Sequence, residues 1–375
     1  MTERCERWLD ATRPETPCLV VDLDRVAANY RALQCAVPDA RIFYAVKANP
    51  APEVLGQLVE LGAHFDVASV AEIDEVLAAG APVERLSYGN TIKKERDIEA
   101  AYARGVRLFA FDAEAELEKI ARAAPGARVF CRILADNGGA EWPLNAKFGC
   151  TPAMATGLLR RAPQLGLVPW GLAFHVGSQQ KDPQQWDAAL AATAAVFRAL
   201  EADGIELAMV NLGGGFAARY REAVPSPAEY GEAIHDALAT HFGNRLPELV
   251  VEPGRGLVGD AGVLETEVVL VAHKGEADPR LWVYLDIGKF GGLAETMDEA
   301  IRYPIESLRT GPTVPVVLAG PTCDSADVLY ERTPYHLSQD LEAGDRLRIK
   351  STGAYTTTYA SVGFNGFAPL RQVCI

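Results

Sequence analysis

The sequence predicts an α/β fold, a (β/α)8 barrel followed by an all-β domain. Three observations lead there. Eight short apolar strand cores alternate with amphipathic helices, the signature of βαβ units and a parallel sheet. The first five strand starts lie about twenty residues apart, the size of a minimal strand–helix unit. After Glu252-Pro253-Gly254-Arg255-Gly256 the alternation stops, and only strands and turns come after it. A doubly wound open sheet is the rival. It usually stops at about five to seven strands, and no GxGxxG follows the first strand here.

The first element comes after Thr16-Pro17, where Cys18-Leu19-Val20-Val21 reads as a short strand. Asp22 to Val37 reads as a helix, with Val26, Tyr30 and Leu33 at helical spacing. Strand cores then begin near Arg41, Ala63, Arg85, Val106, Arg128, Pro169, Glu206 and Glu248. Helices are predicted over Pro52 to Leu61, Ala71 to Ala79, Lys94 to Ala103, Glu114 to Ala123 and Gln184 to Ala202. Later strands are predicted over Val263 to Ala272, Arg280 to Leu285, Val314 to Leu318, Arg346 to Ser351 and Gln372 to Ile375. This places the barrel at residues 22–258 and the β-domain at 1–21 and 259–375, with the early strand joining the β-domain. The eighth barrel strand has no helix of its own, so the helix from Asp22 is expected to close the outer ring.

Composition narrows the function. The chain has 375 residues, 49% hydrophobic and 23% charged, which describes a folded globular protein. Its net charge of -14 argues against non-specific binding to nucleic acid or anionic membrane, and is compatible with a cationic substrate. The 7 cysteines are scattered, with no CxxC pair and no zinc spacing, so free thiols in a reducing compartment and no metal site are expected. The charged N-terminus lacks an apolar signal core, and no apolar run is long enough to span a membrane. A cytoplasmic location is expected.

Candidate chemistry collects at the strand ends. In order these carry Lys47 and Asn49, Asp66 and Ser69, Asn90, Asp112, Arg132, His175 and Ser178, Gly213-Gly214-Gly215, and Glu252 with Arg255. Barrel enzymes hold their sites at that end. Lys47 closes the apolar run Ile42-Phe43-Tyr44-Ala45-Val46 and is expected at the buried end of a strand. A desolvated lysine there has a lowered pKa and forms Schiff bases readily; alone, a strand-end lysine more often snorkels to solvent. The glycines after strand seven and Gly254-Arg255 after strand eight suit a phosphate. Alone, Glu252 reads as a salt-bridge partner of Arg255 and His175 as a satisfied core residue. Together, a lysine, a phosphate cradle, a buried carboxylate and a flat imidazole match what pyridoxal phosphate needs.

The stretches YAVKAN, FDVAS, HVGS, GGGF, EPGR, CDSAD and GAYT resemble the fold-type III pyridoxal-phosphate decarboxylases of basic amino acids, the ornithine decarboxylase family. The resemblance spans essentially the whole chain. It implies an alanine-racemase-like barrel, a C-terminal β-domain and a head-to-tail homodimer with shared active sites. It implies that Lys47 holds the cofactor. Asp66, Glu72, Arg132 and His175 line the ring side, and Glu252 faces the pyridine nitrogen. Ser178, Gly213, Gly214, Gly215, Gly254, Arg255 and Tyr355 hold the phosphate. Lys147 lies in a mobile loop near the site. Cys323 of the partner subunit protonates the α-carbon, and Asp324, as a buried carboxylate, binds the substrate's distal ammonium.

The function that the resemblance implies is pyridoxal-phosphate-dependent decarboxylation of L-ornithine to putrescine, in polyamine biosynthesis. Relatives acting on diaminopimelate carry glutamate after the cysteine, so Asp324 fits a diamine-type side chain better. The stretch Asp286 to Glu299 looks like bacterial ornithine or lysine/ornithine enzymes, and leaves Glu295 and Asp298 as candidates for a second substrate carboxylate. Glu141-Trp142-Pro143-Leu144 departs from the usual stretch before the loop lysine. Lysine, or lysine and ornithine alike, is the nearest alternative substrate. A diaminopimelate decarboxylase, a catalytically dead regulatory homologue and a racemase rank below it. A dead homologue is expected to lose Lys47, Cys323 or the phosphate loop, and a racemase leaves Asp324 unexplained.

Overall fold

The computed structural model describes residues 3–135, 138–142 and 147–375. The chain forms two compact units. One comprises residues 27–217 and 224–256, the other residues 1–26, 218–223 and 257–375.

The first unit is a closed barrel of eight strands. They are Ala40–Ala45, His64–Val67, Leu86–Tyr88, Leu108–Phe111, Arg128–Arg132, Val168–Ala173, Met209–Asn211 and Glu248–Val251. Every pairing is parallel, and the last strand returns to the first through Leu249 opposite Ala40. The strands are short and almost wholly apolar because helices cover their outer faces. Inside, Phe43, Leu108, Ala110, Phe130, Ala173, Met209 and Val250 fill the barrel as one packed cluster.

The five helices given ranges between the barrel strands sit within a residue of expectation: Pro52–Glu60, Val70–Ala78, Glu95–Ala103, Glu114–Ala123 and Gln185–Glu201. Local chemistry explains their starts. Pro52 occupies the first turn, where its missing N–H is harmless. Ser69 caps Val70–Ala78 by accepting the Glu72 N–H. The seventh strand starts at Met209, three residues after the expected Glu206, because residues 205–208 run as irregular chain from helix to sheet.

The second unit is one eight-stranded mixed sheet. Its central strand, Gly262–Ala272, is flanked by Leu281–Leu285 and Arg346–Lys350. Cys18–Val21 pairs antiparallel with residues 262–265 and parallel with Arg371–Cys374. Two strands escaped the sequence reading, Ile305–Ser307 and Val328–Ser338. The second contains Pro334, which normally argues against a strand. It is tolerated because this strand lies at the sheet's edge. Among the described residues no helix is long and apolar enough to cross a membrane.

Candidate active site

The candidate site lies at the C-terminal mouth of the barrel. The first strand ends at Ala45, and a single 3-10 turn, Val46–Ala48, comes next. Val46 and Ala48 are buried, whereas Lys47 is exposed. The expectation of a buried strand-end lysine is therefore corrected. The turn rolls the lysine out of the core while keeping its apolar neighbours in. The Tyr44 hydroxyl pins this turn by donating to the Asn49 carbonyl at 2.9 Å.

Across the mouth stand Asp66, on the second strand, and Glu252, directly after the eighth. Burial, and then the Glu252 charge, push Asp66 well above the usual carboxylate range, with Lys47 and Arg132 opposing. Burial likewise raises Glu252, against the Asn211 hydrogen bond, Arg132 and Lys47. Asp66 Oδ1 is enclosed, and no donor among the described residues reaches it. Gly89 makes room for this carboxylate, since a Cβ there would land 1.9 Å from Asp66 Oδ1.

His175 comes just after the sixth strand. Its Nδ1 accepts the Gly177 N–H at 3.0 Å, so the neutral ring carries its proton on Nε2. Burial and the charges of Arg132 and Lys47 hold His175 well below the usual histidine range, so it is neutral near pH 7. Lys47, Asp66, Arg132, His175 and Glu252 thus act on one another as one electrostatic cluster.

The glycine loop is bare backbone by necessity. Gly213 and Gly215 have φ of +68° and +107°. A Cβ on Gly213 would meet the Phe174 carbonyl at 2.2 Å, and one on Gly214 the Glu252 carbonyl at 2.5 Å. Beside this loop Arg255, only 4% exposed, donates Nε to Ser178 Oγ at 3.3 Å.

Two residues here escaped the sequence reading. Asn211, buried at the end of the seventh strand, donates Nδ2 to Glu252 Oε1 and accepts the Gly213 N–H at 2.9 Å. It fastens the carboxylate to the glycine loop, and its place before Leu212-Gly213 was the available signal. Lys93 was hidden because Lys93-Lys94 looks like surface charge. Its Nζ is fully enclosed, 3.0 Å from Glu116 Oε1, and donates to the carbonyls of Asn90 at 2.8 Å and Ala110 at 2.7 Å. Burial lowers its pKa to about 8, against the pull of Glu116.

Glu72 also does local work. Its Oε2 accepts the Ala68 N–H at 2.6 Å while its own N–H goes to Ser69, so it helps cap its helix. Lys147 is exposed, with Nζ 4.8 Å from the Phe148 ring. The stretch 143–146 before it lies outside the described residues.

The remaining predicted residues belong to the β-sheet unit. Cys323 and Asp324 are exposed in the single chain, on the turn between Thr313–Ala319 and Val328–Ser338. Tyr355 has φ of +58° and its ring packs on Tyr359. Glu295 is 2% exposed, whereas Asp298 is exposed and pairs with Arg332 at 3.2 Å.

A parallel barrel with an amine, a carboxylate cluster and a glycine loop at its mouth defines a class of barrel enzymes built around an anionic cofactor. Comparison with known proteins gives the family. Residues 23–259 match the model described as "Pyridoxal-dependent decarboxylase, pyridoxal binding domain". The chain is 36% identical to the lysine/ornithine decarboxylase of Selenomonas ruminantium over 95% of this chain and 89% of that protein. It is 33% identical to antizyme inhibitor 2 of Xenopus laevis, over 93% of this chain and 78% of that one. The crystal structure of SrLDC, the Selenomonas ruminantium lysine decarboxylase, with PLP and cadaverine superposes with a TM-score of 0.90. That match has 34% identity and covers 100% of this chain and 94% of that one. The chain belongs to the pyridoxal-dependent decarboxylase family. It is a decarboxylase of basic amino acids, with pyridoxal phosphate as cofactor.

The barrel residues fit that cofactor. The enclosed Asp66 Oδ1 has no donor among the described residues, and the side-chain-free loop beside Arg255 suits an anion.

Proposed function

We propose that the protein decarboxylates L-ornithine to putrescine for polyamine biosynthesis, as a cytoplasmic homodimer. The observation that carries this reading is the electrostatic cluster of Lys47, Asp66, Arg132, His175 and Glu252 beside the glycine loop. When bound, pyridoxal phosphate supplies an aldehyde that takes up an amine and a pyridine ring that withdraws electrons from the bonds at the α-carbon.

The chain's own residues do the rest. Lys47 Nζ holds the aldehyde. Glu252, fastened by Asn211, keeps a proton on the pyridine nitrogen. Neutral His175 offers a flat face without adding charge. Ser178, Gly213, Gly214, Gly215, Gly254, Arg255 and Tyr355 hold the phosphate, while Asp66, Glu72 and Arg132 balance charge on the ring side. The partner subunit's Cys323 gives a proton to the α-carbon once carbon dioxide has left. The partner subunit's Asp324 takes the distal ammonium, assisted by Glu295; Asp298, committed to Arg332, is the weaker second candidate.

Lysine is the competing substrate. One extra methylene changes discrimination by only about 1–3 kcal/mol, and a relative named a lysine/ornithine decarboxylase favours tolerance of both. A regulatory role without catalysis is disfavoured because Lys47, Cys323 and the glycine loop are all present.

The test is a side-by-side kcat/KM series on ornithine, lysine, arginine and diaminopimelate, with borohydride reduction to locate the cofactor. Ornithine is expected to lead, with the cofactor fixed to Lys47. A lysine preference of more than about tenfold would overturn the substrate. Absence of reducible cofactor at Lys47 would overturn the site.

A further inference from the structure

The turn bearing Cys323 and Asp324 is held from two sides, both within the β-sheet unit. Beneath it lies Asp327, 2% exposed. Its Oδ1 accepts the Lys289 N–H at 2.7 Å. Its Oδ2 accepts the Thr322 N–H at 3.2 Å and the Thr322 hydroxyl at 2.7 Å. The main chain closes the same turn: the Gly320 N–H donates to the Asp327 carbonyl at 2.8 Å, and the Asp327 N–H to the Asp324 carbonyl at 3.0 Å. Gly288 and Gly320 leave space for the carboxylate; Cβ atoms there would land 2.1 and 2.3 Å from its oxygens.

On the other side, Asn365 Oδ1 accepts the Cys323 N–H at 3.0 Å. Asn365 has φ of +51°, a left-handed conformation that asparagine tolerates well. Its neighbour Phe364 packs against Phe290, ring centroids 4.9 Å apart. Phe290 is next to Lys289, so both supports rest on the same short segment, 288–290. Asp324 Oδ1 accepts the Ala326 N–H at 2.8 Å, which orients the carboxylate within this frame.

We propose that Asp327 and Asn365 are positioning residues that fix where the Cys323 thiol and the Asp324 carboxylate point. The inference rests on the roles proposed above for those two residues. A buried carboxylate shared by three donors resists displacement, because any movement leaves a buried donor unmet. Both act through the turn that carries Cys323 and Asp324. What they govern is whether the proton reaches the α-carbon or the cofactor's own carbon. In the second case water releases an aldehyde and leaves an aminated cofactor.

The test uses the loaded full-length enzyme. Asn365→Gly removes the acceptor without backbone strain, and Asn365→Asp keeps it. Asp327→Asn deprives at least one of the three donors of its acceptor. Three quantities are read: the aldehyde fraction among products, the rate of Cys323 alkylation by iodoacetamide followed by mass spectrometry, and cofactor Kd. Asn365→Gly and Asp327→Asn are expected to raise the aldehyde fraction and the alkylation rate roughly fivefold, the scale of one hydrogen bond. Cofactor Kd stays unchanged, and Asn365→Asp behaves as wild type. If Asp327→Asn fails to fold, the exposed Asn365 pair decides alone. Asn365→Gly with wild-type products and alkylation would overturn the proposal. Cys323→Ala is the reference for the parent reading. If it too gives amine alone, Cys323 leaves the mechanism. The alkylation rates then decide the positioning role by themselves: a rise in Asn365→Gly supports it, and no change overturns it.

Discussion

Replacing Asn211 by alanine should uncouple the acid–base and anion-binding halves of the site. One amide serves both, donating to Glu252 Oε1 and accepting the Gly213 N–H at 2.9 Å. The bond to the carboxylate contributes about 1.5–3 kcal/mol and the backbone bond about 1 kcal/mol. The charged bond acts where the cofactor ring is proposed to sit. Its loss should weaken cofactor binding by roughly 10- to 150-fold. The backbone bond should appear mainly as lost stability. Asn211 is also the leading influence holding Glu252 down against burial, so the variant's Glu252 should rise further. A raised carboxylate contributes stability that is full at low pH and is lost as pH climbs through its folded pKa, so the variant should lose stability faster than wild type on going from acid to neutral pH. Titration of apoenzyme with pyridoxal phosphate, followed by absorbance, measures the binding term. Thermal melts across pH measure the linkage. An unchanged Kd, within about twofold, would show that the amide does not organise the site.

Other consequences are equally direct. Lys93→Met removes the donor of two carbonyls and leaves Glu116 with Lys119 as its remaining cation, and should destabilise by about 1–3 kcal/mol in urea unfolding. A change under about 1 kcal/mol would mean water replaces the ammonium. Asp66→Asn removes a carboxylate whose pKa burial raises, so it should flatten the loss of apoprotein stability as pH rises above the free carboxylate range; a parallel pH profile would refute this. Mixing inactive Lys47→Ala with Cys323→Ala, whose turnover is expected to end in aldehyde, should restore roughly a quarter of the wild-type diamine output if sites are shared between subunits. No recovery despite subunit exchange would place each site within one chain.

Some of this was legible along the chain because it depends on local patterning. Strand–helix alternation reports burial on one or both faces, and so the barrel strands could be read to within three residues and the helices given ranges to within one. The polar residues at strand ends were visible because a parallel barrel delivers them all to one mouth. The departures mark where neighbours override pattern. Val328–Ser338 keeps a proline because it is an edge strand, a fact of pairing order. Lys47 leaves the core because the chain turns one residue earlier than its apolar run suggests.

By itself, then, the sequence determined the periodicities, the turn glycines and the chemical alphabet at the strand ends, since these arise from short-range sterics and solvent avoidance. Only the tertiary structure decided which of those groups share a field. Lys93 became a buried ammonium with a pKa of about 8, Asp66 acquired an enclosed oxygen that no donor among the described residues reaches, and Asn211 came to bridge Glu252 and the glycine loop. Those properties arise from burial and from distant partners such as Glu116 for Lys93 and Glu252 for Asn211, and no short window of sequence contains them.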